Sequence, residues 1–150
     1  MVQRMKKQNF IGVSGHIVIT NALTGEIVYE GDNHVTDVGL GWIADQCSDA
    51  GEAAISHVAV GTGVLNNDGT DTALAAELAR VAITSNIQTT TSFTVAAQFP
   101  AGTGTGTLTE VGIFNDASAG TLIAAKVINI GKEATDSYNI YWTITFTRAA

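Results

Sequence analysis

Alternation of apolar and polar positions is clearest at the end of the chain. From Tyr138 to Thr147, Tyr138, Ile140, Trp142, Ile144 and Phe146 fall on one side, and Asn139, Tyr141, Thr143, Thr145 and Thr147 on the other. A period of two marks a strand with one buried face. Ser92 to Phe99 repeats it, with Phe93, Val95, Ala97 and Phe99 on one side and Pro100 closing the segment. Ser14 to Asn21 sets Ile17 and Ile19 against His16, Val18 and Thr20. The turn Leu23-Thr24-Gly25-Glu26 and the returning segment Ile27 to Glu30 complete a hairpin, and Gly31-Asp32-Asn33 is the next breaker. Shorter strands are predicted at Ile55 to Val60, Val81 to Gln88, Thr107 to Phe114 and Thr121 to Ile130. Gly61-Thr62-Gly63, the Gly/Thr loop Ala101 to Gly106 and the turn Asn115 to Gly120 separate them.

Two segments have helical spacing instead. Thr36 to Cys47 places Val38, Trp42 and Ile43 on one face, with Thr36 as N-cap and Asp37 in the first turn. Gly39 and Gly41 each cost roughly 1 kcal/mol in a helix against alanine, so close approach to a sheet is the reason expected for them. Thr72 to Arg80 reads as a short helical turn, with Leu74 and Leu78 at i and i+4. Many short strands with turn residues between them indicate an antiparallel sandwich or barrel. The fold expected is a mainly β, jelly-roll-like β-sandwich over residues 11–150, with one inserted helix and one helical turn. Residues 1–10 form a basic N-terminal arm.

The chain has 150 residues, one cysteine and a net charge of −7, and only 14% of its residues are charged. About 150 residues suffice for a core without disulfides or metal. Cys47 has no internal disulfide partner and is expected to be a buried thiol in a protein made in a reducing cytoplasm. No apolar run approaches the roughly 18 residues of a membrane span, and the polar start of the chain is not of signal-peptide type. The acidic balance argues against direct nucleic-acid binding. Arg4, Lys6 and Lys7 are three of only seven basic residues. They read either as a docking arm for an acidic neighbour or as a solvated tail.

Candidate chemistry is sparse. Gly61-Thr62-Gly63 and the GTGTGT run Gly102 to Thr107 lack the lysine of a phosphate loop. Asn67, Asp68 and Asp71 offer oxygens to a cation, but without EF-hand spacing a solvated turn is the plainer reading. His16, His34 and His57 are isolated in sequence, and no nucleophile-elbow motif surrounds any serine. No catalytic, cofactor-binding or metal-binding residue is therefore assigned, and no cofactor is expected. The notable ions are Glu77, Arg80 and Glu110, beside apolar segments in a low-charge chain. Arg80 and Glu110 are expected to form a bidentate structural ion pair, since a mid-strand glutamate on a buried face needs a partner.

Taken in order, Ile55-Ser-His-Val-Ala-Val-Gly-Thr-Gly63, Asp71-Thr-Ala-Leu-Ala-Ala-Glu-Leu-Ala-Arg80, Leu108-Thr-Glu-Val-Gly-Ile-Phe114, Gly120-Thr-Leu-Ile-Ala124 and the final Trp-containing strand resemble small virion structural proteins of tailed bacteriophages. They also look like the attachment modules of phage tail fibres. The resemblance covers roughly Ile55 to Phe146, and Ile113 stands where the pattern usually has leucine. It implies a non-enzymatic virion component, assembled in the bacterial host cytoplasm. A chain ending directly after its last strand is expected to stand alone. That favours a capsid decoration or cement protein, bound as a homo-oligomer such as a trimer to the major capsid protein. A tail-fibre or baseplate adaptor, with tail proteins as partners, is the alternative. A carbohydrate-binding module is a third reading. It would need an exposed aromatic cluster in a groove, built on Tyr29 or Tyr141.

Overall fold

The computed structural model describes residues Phe10–Ala149. Its elements are β1 (Phe10–Asn21), β2 (Ile27–Val35), α1 (Asp37–Ser48), β3 (His57–Gly61), β4 (Glu77–Gln88), β5 (Ser92–Phe99), β6 (Gly106–Phe114), β7 (Leu122–Lys132) and β8 (Tyr138–Ala149). The three alternating segments form the most regular wall. β8 lies between β1 and β5, with Trp142 opposite Ile17 on one side and Val95 on the other. All three side chains are fully buried in the barrel interior. The basic arm with Arg4, Lys6 and Lys7 lies outside the described residues.

The jelly-roll-like sandwich is not what forms. The strands close into an eight-stranded antiparallel barrel in the order β1-β2-β7-β6-β3-β4-β5-β8. Closure depends on two strands that change partners along their length. β4 pairs with β3 from Glu77 to Ala82 and with β5 from Ile83 to Gln88, with a bulge between Ile83 and Ser85. β2 pairs with β1 from Ile27 to Asn33, then with β7 through His34 and Val35. Strands that switch sheets at bulges or bends make the corners of such structures. The residue pattern of one strand carries no mark of a change of neighbour.

The helical turn expected at Thr72 to Arg80 is also absent. Glu77 to Arg80 belongs to β4, and Leu78 is exposed while Leu74 is buried. The amides of Ala75 and Ala76 donate to the Glu110 carboxylate at 2.8 and 2.7 Å. Those donors are thereby taken from any helical ladder, and an ionised acceptor is the stronger partner.

The helix forms where the sequence places it, but its buried residues are Gly39 and Trp42, with Ile43 partly buried and Val38 exposed. Thr36 caps it by accepting from the Gly39 amide at 2.9 Å, and its hydroxyl donates to the Leu122 and Ile123 carbonyls of β7. A Cβ on Gly39 would collide with the Ile123 carbonyl oxygen, so this glycine lets the helix sit directly on β7; Gly41 faces open space. Trp42 is buried, and its indole Nε1 donates to Ala53 O at 2.8 Å. Cys47 is exposed rather than buried, because the helix buries only Gly39 and Trp42 and Cys47 lies off that face. No helix among the described residues is long and apolar enough to cross a membrane.

Candidate functional site

One end of the barrel is plugged and the other is open. At the plugged end, Lys132 is buried, and its Nζ donates to Pro100 O at 3.0 Å and Asp136 O at 2.6 Å. Burial lowers the Lys132 pKa, opposed by nearby Asp136. The Tyr138 hydroxyl donates to Gly131 O at 2.7 Å beside it, and burial raises the Tyr138 pKa.

At the open end, α1 and the β4–β5 hairpin border an open cavity of about 580 Å³. Trp42, Ile55, Phe93 and Phe146 supply its apolar surface, and Gln46, Asn86, Gln88 and the turn from Thr89 to Ser92 supply its rim. The walls are tied together. Phe146 N donates to Thr91 O at 2.8 Å, Gln46 Nε2 to Glu52 O at 2.8 Å, and the Thr89 and Ser92 hydroxyls bond at 2.6 Å. The mouth of a β-barrel is a common place for a binding cavity of this volume. Phe146 also borders an adjoining cleft with Phe10, Ile11, Thr147 and Arg148.

On the outside of the barrel, the loop between β3 and β4 covers β3, β6 and β7. Ala59, Leu65, Leu74, Phe114, Leu122 and Ala125 form an apolar cluster there, separate from the interior. Glu110 anchors it. This side chain is fully buried, and besides Ala75 and Ala76 it accepts from Gly63 N at 3.1 Å. A Cβ on Gly61 would strike the Glu110 carboxylate, and one on Gly63 would strike Ala75 and Ala76. Gly61-Thr62-Gly63 is thus a seat for a carboxylate.

Arg80 and Glu110 therefore do not pair with each other. Arg80 binds Glu77, with Nη2 to Oε1 at 2.6 Å. Its Nη1 donates to Asp116 O and Ala119 O at 2.9 and 2.8 Å, and its guanidinium lies 3.7 Å from the Phe114 ring centroid. Glu110 meets its need for partners with backbone amides, an alternative to arginine that residue type alone does not reveal. The small residues Gly63, Ala75 and Ala76 were the available signal.

The remaining candidates are dispersed. Asp71 accepts the Asn66 and Asn67 amides at 3.1 and 3.2 Å. Asp68 binds Thr70, whose hydroxyl lowers the Asp68 pKa. These carboxylates shape their own turn. His57 bonds Ser56 Oγ at 2.8 Å. His16 lies between Asp32 at 2.8 Å and Glu30 at 3.0 Å on the outer face of β1–β2, and these bonds raise its pKa. Among the described residues no group of histidine, cysteine and acidic side chains is placed to hold a metal ion. Tyr29 and Tyr141 form no common surface. Tyr29 is opposite buried Ile19, whereas Tyr141 is exposed on the outer face beside Val18. Sequence reading missed the cavity because Trp42, Asn86, Gln88, Phe93 and Phe146 meet only after barrel closure.

No family model matches this chain, and searches of curated proteins and of solved structures give no match.

Proposed function

We propose that this chain is a non-enzymatic structural protein of a tailed-phage particle, most specifically a decoration subunit that binds the capsid as an oligomer. The ordered motifs from Ile55 to Phe146 support the reading. Gly61, Gly63, Arg80 and Glu110 hold loops against a barrel wall.

The observation that carries the assembly role is an incomplete seam. The pairing of β2 with β7 comprises only His34 with Ala125 and Val35 with Ala124. From Ile27 to Asn33, β2 thus has a strand neighbour on one side only among the described residues. Ile27 at its start and Leu23 in the adjoining turn are 54% and 79% exposed. A strand edge with free backbone groups and apolar side chains beside it is suited to contact with another chain.

Imaging of purified particles tests the reading. Density matching the barrel at capsomer junctions is the expected result. Density at the tail would favour the adaptor reading, which the same motifs support. Particles that lack the protein altogether would overturn both.

A further inference from the structure

We propose that the open end of the barrel is a binding site for a neutral saccharide, with Asn86 and Gln88 as its hydrogen-bonding residues. The inference is independent of any place in a particle.

Charge comes first. Among the described residues, none that lines the cavity is ionisable, in a chain with a net charge of −7. Anionic ligands such as nucleotides or fatty acids meet no cation in the lining among the described residues. Arg148, two residues after Phe146 on β8, lines the adjoining cleft and not the cavity.

Depth comes next. Below the cavity the barrel is filled by Val95, Trp142 and Ile144, all buried. There is no apolar tube for an acyl chain. The site is shallow and wide, and its volume of about 580 Å³ lies within the range of small-molecule sites.

The lining is divided into two kinds of surface. Phe93 and Phe146 lie side by side, with centroids 6.4 Å apart and planes tilted by 40°, next to Trp42 and Ile55. The electron-rich faces of aromatic rings suit the weakly positive C–H faces of a sugar ring. Beside them runs an uncharged rim of carboxamides and hydroxyls, with Gln88 directly across the ladder from Phe93. Asn86 pairs with Val95 and Gln88 with Phe93, so both amides arise from strand positions in phase with the barrel interior. Both side chains are exposed at the mouth. A carboxamide offers donors and an acceptor together, which matches the vicinal hydroxyls of a sugar. The ties among Phe146, Thr91, Gln46 and Glu52 hold this rim in place before a ligand arrives, which reduces the ordering cost of binding.

The test uses an array of neutral and acidic glycans. The tightest neutral glycan is then titrated into ¹⁵N-labelled protein, with laurate as a separate arm. The expected result is retention of a neutral glycan and saturable shifts of the Trp42 indole and the Asn86 and Gln88 carboxamides. The indole of Trp142, sealed in the core, stays in place. Gln88→Ala and Asn86→Ala are surface changes that leave the melting temperature intact, and each weakens binding about tenfold. Retention of no neutral glycan, shifts with laurate alone, or full affinity in both variants would overturn the proposal.

Discussion

The wall made by β1, β8 and β5 and the wall made by β3, β6 and β7 are built from the same kind of ladder, yet only the first has its structure written plainly in the residue pattern. In the first, inward Ile17, Ile19, Val95, Ile140 and Trp142 alternate with partly or fully exposed His16, Val18, Thr143 and Tyr141. In the second, Val111, Gly112, Ile113 and Phe114 are all buried in succession. Interior residues cover one face of that wall, and the β3–β4 loop covers the other. A sheet covered on both faces loses its alternation. The difference is one of solvent contact, and it decides what kinds of residue each wall accepts. The first wall meets water with ordinary polar side chains. The second holds a buried carboxylate that has to be satisfied by loop backbone.

The comparison predicts different responses to truncation. Trp142 is the largest fully buried side chain, and its Nε1 donates to Asn33 Oδ1 at 2.9 Å. Trp142→Ala should cost about 3–5 kcal/mol, a large share of the total stability of a domain, about 5–15 kcal/mol. Urea unfolding should show a much lower midpoint, with every probe of structure lost together. An unchanged midpoint would mean that the first wall does not carry the core.

Glu110→Ala tests the second wall. The substitution removes the acceptor of three loop amides, at about 1–3 kcal/mol for stranded buried donors. Because the loop can open to water, the damage should be local. Exchange of the Gly63, Ala75 and Ala76 amides should speed up by more than the global loss of stability explains. A double-mutant cycle of Arg80→Met with Glu110→Gln should give coupling near zero, since the two residues have separate partners. The cycle of Arg80→Met with Glu77→Gln should give about 0.5–1 kcal/mol. The reverse order of coupling would restore the pairing read from the sequence.

Legibility followed the same division. The strands of the first wall, the opening hairpin and the capped helix are visible because each has one wet face or a local cap. The run Thr72 to Arg80 was misread because Leu74 and Leu78 have helical spacing, while the residue that decides the local structure, Glu110, is 35 residues away from Ala75. Barrel closure was hidden for a similar reason. β2 and β4 each change neighbours within one strand, and β2 is joined to β7 by only two residue pairs. The cavity draws on α1, the β4–β5 hairpin and β8, and its residues have no common spacing in the chain.

The smallest expected effect lies on the outer face of the first wall. His16 on β1 faces Asp32 and Glu30 on β2, and its hydrogen bonds to them raise its pKa above the ordinary 6.5. A raised folded value means that the folded protein holds the proton more tightly than the unfolded chain. The resulting stabilisation is fully present below about pH 6.5 and is lost as pH rises through the higher folded value. His16 and Asp32 are 44% and 89% exposed at their side chains. Solvent screening therefore limits the effect to about 0.5 kcal/mol or less, and added salt should diminish it further. Urea midpoints of wild type and His16→Gln at about pH 5.5 and about pH 8.5 measure it, because their difference cancels the other titrating groups. Wild type should lose its small advantage at the higher pH. An advantage that grew with pH would show that His16 is bound as the neutral ring, and that this face is drier than its exposure implies.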